Sequence, residues 1–220
     1  MRDYLGKSVL VAGADASGLA AASLLQASGA KVTLWDGTGK VDPRLPSLQG
    51  VRLVSGETDV LAQAYEVAVL GGQTSKLESL MQRVIAAGVP VISELELAFQ
   101  AARCLAVAVA GTNGKTTTAE LIESMTRQAG RKTLRGGGSG TPFCALADRS
   151  RDLDFITAEV NSFQLEGISE FNPSVAVVLN LKPDHMDRYD RLSNYARAVG
   201  RVFENQEAFS WAIIQSEALA

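Results

Sequence analysis

The chain has 220 residues, of which 46% are hydrophobic and 20% are charged, and its net charge is −3. This composition is typical of a globular protein with room for one large domain or two small ones. A pI near 5.3 argues against binding a nucleic-acid backbone over a broad surface. No apolar run reaches the roughly 18–20 residues that cross a bilayer, and the N-terminus lacks a signal-peptide cleavage region. We therefore predict a cytoplasmic protein that binds neither nucleic acid nor a membrane.

The first part of the chain alternates strand and helix patterns, as expected for a small doubly wound parallel sheet. Strands are predicted at 8–12, 31–35, 50–54, 65–70 and 89–93, and helices at 19–26, 76–87 and 94–102, the last with Ser93 as its N-cap. The boundary of this domain is predicted near Arg103 and Cys104, just before a new apolar run. The predicted domains are therefore residues 1–103 and 104–220, both of the α/β class.

The first turn of the N-terminal domain, GADASG, contains Gly13 and Gly18 but not the middle glycine of a GxGxxG dinucleotide fingerprint. Asp15 stands at that position, and its carboxylate would repel a pyrophosphate, which weakens the hypothesis of a nicotinamide-dependent oxidoreductase. Asp36 ends the second strand and could accept hydrogen bonds from a sugar hydroxyl, with a solvated turn aspartate as the equal alternative. A further joint, Leu70-Gly71-Gly72-Gln73, follows a strand at the edge where open α/β sheets bind ligands.

Residues 105–118, LAVAVAGTNGKTTT, predict a buried strand at 105–110, a tight loop and the start of a helix. Gly111 and Gly114 would let consecutive N–H groups and the positive end of the helix face one phosphate group. Lys115 would add a positive charge, and the Thr116 hydroxyl is placed to bind Mg²⁺. The strict Walker pattern fails because Val109 replaces its first glycine, so a joint without a ligand is the alternative. The predicted phosphate-binding residues are Gly111, Thr112, Asn113, Gly114, Lys115, Thr116 and Thr117.

The carboxylate that such a metal site needs is predicted to be Glu159, which follows an apolar strand pattern. The chain's only histidine, His185, lies between acidic residues just after another strand that ends at Asn180. Its position favours a metal or phosphate role over a purely structural one. The predicted metal ligands are therefore Thr116, Glu159 and His185, and the later strands and helices are expected at 132–134, 154–160, 175–179, 192–204 and 209–214.

Three segments carry a family resemblance: AGTNGKTTTAE, EVNSFQLE at 159–166 and FNPSVAVVLNLKPDHMDRY at 171–189. They resemble the Mur ligases, which are ATP-dependent amide ligases of peptidoglycan synthesis. Within the family, NSFQLE and ISELELAFQ are most similar to the members that add D-glutamate to UDP-N-acetylmuramoyl-L-alanine. The resemblance covers essentially the whole chain and implies a Rossmann-like domain that binds the UDP substrate, followed by a P-loop-type domain that binds ATP and is incomplete at its C-terminus.

The resemblance also implies roles for individual residues. Lys115 would hold the β- and γ-phosphates of ATP, Thr116 and Glu159 would bind one Mg²⁺, and His185 would serve a second metal. These three functions make Lys115, Glu159 and His185 the implied catalytic residues. The implied substrate-binding residues are Gly13, Ser17, Gly18, Asp36, Gly72, Asn161, Ser162 and Gln164.

Four departures from the family pattern bear on catalysis and on UDP binding. Gly138 stands where the family has an asparagine, and Val199 stands where it has a lysine that becomes carbamylated and supports the second metal. Leu70, Gly71 and Gly72 stand where the family has a Ser-Pro-Gly-like turn near the UDP-sugar, and the domain that binds the incoming amino acid is expected to be absent. The alternatives are therefore a fragment of a longer ligase and a diverged module that binds ATP without ligating.

Overall fold

The computed structural model describes residues 3–37, 48–71, 75–138 and 140–218, and for residues 75–78 and 217 it describes the backbone only. These residues form two five-stranded sheets in which every recorded strand pair is parallel. The predicted fold class, two α/β parallel-sheet units of which the first is doubly wound, is confirmed. No helix in the described part of the chain is both long and apolar enough to span a membrane.

The first sheet has the strand order β3-β2-β1-β4-β5. Its strands are β1 (Ser8–Ala12), β2 (Lys31–Trp35), β3 (Arg52–Val54), β4 (Val67–Leu70) and β5 (Val91–Ser93). Its helices are α1 (Ala16–Ala27), α2 (Glu57–Leu61), α3 (Ser75–Ala86) and α4 (Glu94–Ala101). The chain leaves β1 toward β2 on one side and later returns to β4 on the other. The carboxyl ends of β1 and β4 therefore flank a topological switch point, where sheets of this kind bind ligands.

The second sheet has the order β10-β9-β6-β8-β7. Its strands are β6 (Leu105–Ala110), β7 (Thr133–Gly137), β8 (Phe155–Glu159), β9 (Val175–Val178) and β10 (Trp211–Ile214). Its helices are α5 (Lys115–Gln128), α6 (Phe143–Ala147), α7 (Ser162–Glu166) and α8 (Leu192–Gly200), with 3₁₀ turns at Asp148–Asp152, Arg201–Phe203 and Ser216–Ala218. In the β6–β8 register Val109 lies opposite Glu159, and in the β7–β8 register Gly137 does. The loop after β6, Glu159 and the end of β7 thus share one edge.

The predicted strands at 8–12, 31–35 and 105–110 are confirmed residue for residue, because buried parallel strands form unbroken apolar runs. Three short helices, α2, α6 and α7, were not predicted, since about five residues are too few to show helical periodicity. The strand predicted to end at 134 continues through Gly137. Its glycines pair with β8 despite their low strand propensity. The helix predicted to 204 ends at Gly200 and continues as a 3₁₀ turn.

The two sheets are joined by a buried carboxylate on α4. Glu96 is fully buried and accepts hydrogen bonds from the backbone N–H groups of Ser169, Glu170 and Phe171, at 3.0, 3.0 and 2.9 Å. Gln100 donates a further bond at 2.8 Å. A buried charge is tolerated only when donors replace its hydration, and these donors do so. One hydrophobic cluster accordingly contains residues of both sheets.

A second acidic residue at the same joint, Glu94, is less well compensated. Its Oε1 accepts a bond of 2.6 Å from the Cys144 N–H on α6, whereas its Oε2 has no partner among the residues described. Burial raises the pKa of Glu94 to about 7, and the nearby Asp15 carboxylate adds to the increase. The folded protein therefore holds a proton on Glu94 at pH values where the unfolded chain has lost it.

We predict that Glu94→Gln removes a pH dependence from the stability of the protein. Because the pKa of Glu94 is raised on folding, its contribution to stability falls as the pH rises from about 4.5 to about 7 and is constant above that. Glutamine keeps the acceptor for Cys144 and cannot ionise. Between pH 5 and pH 8 the variant should gain on the order of 2 kcal/mol relative to wild type, measured by urea unfolding. Glu120→Gln, at an exposed carboxylate, serves as the control, and parallel curves for wild type and Glu94→Gln would contradict the prediction.

Candidate nucleotide and metal site

The loop after β6 has a backbone that requires glycine at two positions. Gly111 has φ +125° and Gly114 has φ +87°, both in the region that disfavours other residues. A Cβ at Gly111 would also lie 2.9 Å from the Asn180 carbonyl oxygen. The glycines therefore allow the tight turn that aims the loop at the start of α5, and Val109, in the strand before it, needs no such freedom.

The start of α5 is open and positively charged. Gly114 is its N-cap and supplies no side-chain oxygen, and the first turn contains no acidic residue. The N–H groups at the start of this helix can therefore face an anion. The Lys115 ammonium donates to the carbonyl oxygens of Gly111 and Thr112 at 2.9 and 3.0 Å, so it lies against the loop. Thr117, also in the first turn, is exposed.

The predicted hydroxyl–carboxylate pair is formed. Thr116 Oγ1 donates to Glu159 Oε2 at 3.0 Å, although the two residues are 43 positions apart. Both side chains offer an oxygen atom as a metal ligand, which is the ligand type that Mg²⁺ prefers. Within the described ranges no group of three or more His, Cys, Asp or Glu side chains is arranged around a metal position. The hydroxyl of Thr116 and the carboxylate of Glu159 fit Mg²⁺, which completes its coordination with waters and phosphate oxygens.

His185 lies in a different set of contacts. Its imidazole is 43% exposed, has the Asp184 carboxylate 3.7 Å away and packs edge-on against the Phe163 ring at 4.7 Å. Its backbone is in the left-handed region with φ +53°, where its carbonyl oxygen accepts from the N–H groups of Arg188 and Tyr189. The Thr116–Glu159 pair is formed without it. The metal role predicted for His185 therefore stays a prediction.

Two residues that sequence reasoning left out of the site hold the loop in place. The Asn180 side chain accepts from the Asn113 N–H at 3.0 Å and donates to the Asn113 carbonyl oxygen at 2.9 Å. Tyr195 on α8 places its hydroxyl 3.3 Å from Thr112 Oγ1. The position of Asn180 after a strand next to β6 was an available signal. No local pattern marks Tyr195, because its contact depends on how α8 packs.

The three predicted substrate residues in the NSFQ segment form the start of α7. The Asn161 side chain accepts from the Gln164 N–H, and the Gln164 side chain accepts from the Asn161 N–H, at 2.9 and 3.1 Å. This reciprocal pair is a capping box, and Ser162 beside it is 2% exposed. The segment therefore has a structural role, and its contact with a substrate stays a prediction.

The crevice of the first sheet is formed by glycines in close backbone contact. A Cβ at Gly18 would lie 1.8 Å from the Gly13 carbonyl oxygen, and one at Gly71 would lie 2.3 Å from the Gly18 Cα. The carboxyl ends of β1 and β4 can approach α1 only because these residues lack side chains. Ser17 is half-buried in the first turn of α1, and Gly72 falls outside the described residues.

Two aspartates border this crevice. The Asp15 carboxylate is the N-cap of α1 and accepts from the Gly18 N–H at 2.9 Å, so it occupies a donor that a phosphate could use. Asp36 is 3% exposed at the end of β2. The alternative of a solvated turn aspartate is therefore wrong for Asp36, which is buried beside the crevice.

Two of the departures from the family pattern have different surroundings: Gly138 is exposed, and Val199 is buried. Gly138 has φ +58°, and a Cβ there would lie 2.5 Å from the Glu159 carboxyl carbon. Val199 on α8 is 2% exposed and belongs to the hydrophobic cluster. An apolar side chain in that cluster supplies no ligand to a metal.

The protein-family model of the Mur ligase middle domain matches residues 109–219, which is half of the chain. The chain belongs to the Mur ligase family. This match includes the loop, Thr116, Glu159 and His185. The predicted resemblance is thereby confirmed, and the members of this family are ATP-dependent ligases of peptidoglycan precursors.

Curated relatives of this Mur ligase chain carry the name UDP-N-acetylmuramoylalanine–D-glutamate ligase. The protein of Pelotomaculum thermopropionicum is 40% identical over 99% of the chain and 49% of its own length. That of Koribacter versatilis is 37% identical over 98% of the chain and 49% of its own length. The chain thus spans about half the length of the curated relatives that it matches.

Solved structures support the fold. A ligase from Neisseria meningitides, named as acting on UDP-N-acetylmuramate and L-alanyl-gamma-D-glutamyl-meso-diaminopimelate, matches 97% of the chain and 73% of its own with a TM-score of 0.62 at 19% identity. MurC of Thermotoga maritima, named a UDP-N-acetylmuramate–alanine ligase, matches 96% of the chain and 49% of its own with a TM-score of 0.52 at 15% identity. These likenesses show that the two-sheet arrangement is that of Mur ligases.

We predict that Asn180→Ala weakens ATP binding about tenfold while lowering the free energy of unfolding by only about 1 kcal/mol. The substitution removes both bonds to Asn113 and so loosens the loop, which must then be ordered when ATP binds. Calorimetric titration and thermal unfolding measure the two effects. Gln128→Ala, an amide truncation at the far end of α5, is the control. Equal ATP affinity in both variants would show that Asn180 does not hold the loop for its ligand.

Proposed function

We propose that this chain carries the UDP-substrate-binding and ATP-binding portion of a cytoplasmic ligase that adds D-glutamate to UDP-N-acetylmuramoyl-L-alanine. The observation that carries the proposal is the Thr116–Glu159 pair, 3.0 Å apart, beside the open N-terminus of α5. The names of the relatives at 37–40% identity support the choice of substrate. Their greater length supports the view that the complete reaction needs more polypeptide than these residues provide.

In this proposal residues 1–103 bind the UDP moiety and residues 104–220 bind ATP. The crevice of Gly13, Gly18 and Gly71 at the switch point of the first sheet supports the first assignment. Asp36, buried at the end of the neighbouring strand, would accept hydrogen bonds from the uridine portion. The hydrogen bonds that Glu96 accepts from the N–H groups of residues 169–171 support a fixed orientation of the two halves, so that both ligands would meet between them.

The ATP half would act mainly by positioning and charge neutralisation. The N–H groups at the start of α5 would hold the phosphate chain, and Lys115 would exchange its carbonyl acceptors for β- and γ-phosphate oxygens. Thr116 and Glu159 would hold Mg²⁺, which neutralises charge on the phosphate oxygens when bound. The substrate carboxylate would take the γ-phosphoryl group to give an acyl phosphate and ADP. The amine of D-glutamate would then displace phosphate and form the amide.

A second candidate function is a module that binds ATP without ligating. The burial of Val199 favours it, because the hydrophobic cluster there provides no group to support a second metal beside His185. Phosphoryl transfer to a carboxylate brings several negative charges together, so one missing cation would slow it. A protein with this second function would bind ATP but would not catalyse amide formation.

Calorimetric titration of the chain with Mg-ATP and, separately, with UDP-N-acetylmuramoyl-L-alanine tests the two candidates. Binding of both ligands supports the ligase portion. Binding of Mg-ATP alone supports the second candidate. Binding of neither would refute both.

We predict that Lys115→Ala abolishes Mg-ATP binding without unfolding the protein. The ammonium donates to the loop carbonyls of Gly111 and Thr112, so its loss should lower the free energy of unfolding only slightly. The substitution also removes the positive charge that would face the phosphates. Titration and circular dichroism measure binding and fold. Lys132→Ala, at an exposed lysine of the same half, is the matched control. Unchanged ATP affinity in Lys115→Ala would overturn the assignment of the phosphate site.

We predict that Asp15→Asn strengthens UDP binding several-fold at low salt. Asparagine is an equally good N-cap, so α1 should be retained, while the negative charge that competes with a diphosphate at Gly18 is removed. The gain should shrink at high salt because the repulsion is screened. Asp152→Asn makes the same change of net charge in the other half and should leave UDP affinity unaltered. A gain of equal size in both variants would show that the effect is only one of net charge.

A further inference from the structure

Two segments of the second half meet at the side chain of Glu166, the last residue of α7. One carboxylate oxygen accepts from the Arg188 guanidinium, and the other accepts from the Tyr189 hydroxyl at 2.9 Å. Both donors lie only three and four residues after His185 in the chain. A single carboxylate on α7 therefore holds the turn that contains the chain's only histidine.

The backbone of this turn is unusual. With φ +53°, His185 is the only residue other than glycine that the described part of the chain places in the left-handed region. Its carbonyl oxygen accepts from the N–H groups of Arg188 and Tyr189, both at 2.9 Å. Such a conformation persists when its surroundings enforce it. The two residues that bond to this carbonyl are the same two whose side chains Glu166 holds.

The imidazole of His185 is held from the side of α7 as well. The Phe163 ring packs edge-on against it at 4.7 Å, and the Arg188 guanidinium lies over the same ring, 4.9 Å from its centre. A cation over an aromatic face is attracted to it, and this cation is also paired with Glu166. The Glu166 carboxylate therefore affects the surroundings of the imidazole through both the backbone and the Phe163 ring.

The segment that contains His185 begins at the phosphate loop. The Lys182 N–H donates to Thr112 Oγ1 at 3.0 Å, and the Thr112 hydroxyl lies 3.2 Å from the Lys182 carbonyl oxygen. Residues 182–189 are thus attached to the loop at their start and to Glu166 at their end. A segment that is held at both ends keeps the side chains between them in a defined position.

We propose that Glu166 is a positioning residue that holds the His185 imidazole at the nucleotide site. The proposal rests on the proposed function, because it assumes that His185 faces a cation bound together with the nucleotide. The backbone at the end of α7 is held separately, since Arg201 donates to the carbonyl oxygens of Glu166 and Ile168. Removal of the carboxylate should therefore release the histidine turn while α7 stays in place.

The first experiment needs no ligand and uses the single histidine as a reporter. In a chain without a histidine tag, the imidazole signals in a proton NMR spectrum belong to His185 alone. The Phe163 ring should shift them away from those of a free imidazole. Glu166→Ala should move them most of the way back. Glu166→Gln, which keeps one acceptor oxygen but loses the charge that pairs with Arg188, should move them part of the way.

Glu207→Ala, at an exposed glutamate of the same half, is the matched control and should leave the His185 signals where wild type has them. Glu166→Gln protects the experiment against a variant that does not fold, because it keeps an acceptor for the half-buried end of α7. Wild-type signals in Glu166→Gln would overturn the proposal, whether or not Glu166→Ala folds.

The second experiment measures Mn²⁺ binding by electron paramagnetic resonance in the presence of ADP, together with ADP affinity in the absence of metal. Glu166→Ala should weaken Mn²⁺ binding about tenfold, the usual effect of losing a group that orients a metal ligand. It should leave the metal-free ADP affinity within about twofold of wild type, because the loop of residues 111–114 is distant from the change. A residue that served stability alone would lower the melting temperature and leave both affinities of the folded protein unchanged.

A double-mutant cycle tests whether Glu166 acts through Arg188. Arg188→Ala should weaken Mn²⁺ binding as Glu166→Ala does, since each removes the same ion pair. The double variant should then lose little more than either single variant. Fully additive losses would show that the two residues act independently and would overturn the proposed route from Glu166 to His185.

The outcomes separate this inference from the proposed function. In wild type with ADP, paramagnetic Mn²⁺ should broaden the His185 signals. If Mn²⁺ and ADP bind but these signals stay sharp, or if Glu166→Ala behaves like Glu207→Ala, the inference is wrong and the proposed function stands on Thr116 and Glu159. If wild type binds neither ADP nor Mn²⁺, the proposed function is refuted and the positioning role of Glu166 falls with it.

Discussion

The site depends on the parallel pairing of β6 with β8 and β9. Because the strands are parallel, the residues that follow them emerge at one edge of the sheet, and the register places Val109 opposite Glu159. Glu159 then meets Thr116 on one side of the loop, and Asn180 meets Asn113 on the other. A shift of one residue in the β8 register would turn the Glu159 side chain to the opposite face of the sheet.

The two halves are held together by polar groups more than by a continuous sheet. Glu96 accepts hydrogen bonds from the N–H groups of residues 169–171, and Glu94 accepts one from the N–H of Cys144. Both glutamates lie in the first turn of α4. Hydrogen bonds to a buried carboxylate are directional, so they determine orientation as well as attachment. The crevice of the first sheet and the phosphate loop of the second are thereby kept in a defined relation, which a reaction between two bound substrates requires.

Nucleotide binding and chemistry make different demands on this chain. The features that would bind phosphate are backbone N–H groups, glycine conformations and Lys115, all of which lie within the described residues. The features that would support a second metal depend on individual side chains, and the buried Val199 offers only a hydrocarbon at the position where the resemblance implies a lysine. Position 138 is also a glycine where the resemblance implies an asparagine, and the Glu159 carboxylate lies where a Cβ at this position would point. The proposed site thus has more groups suited to holding a nucleotide with one cation than to transferring its phosphoryl group.

The sequence by itself determined the fold class, the strands at 8–12, 31–35 and 105–110, and the phosphate loop. These depend on local patterns: unbroken apolar runs in buried strands and glycines next to a lysine at a helix start. It also predicted that Thr116 and Glu159 belong together, because both follow strands of one sheet.

Only the tertiary structure decided which side chains restrain that loop and which groups are buried. Asn180 and Tyr195 reach it through strand order and helix packing, and Asp36 is enclosed rather than solvated. The carboxylates of Glu94 and Glu96 look like the exposed face of a helix in the sequence and are buried between two sheets in the structure. Contacts across 40 to 100 residues leave no local pattern, since they depend on how complete elements pack against one another.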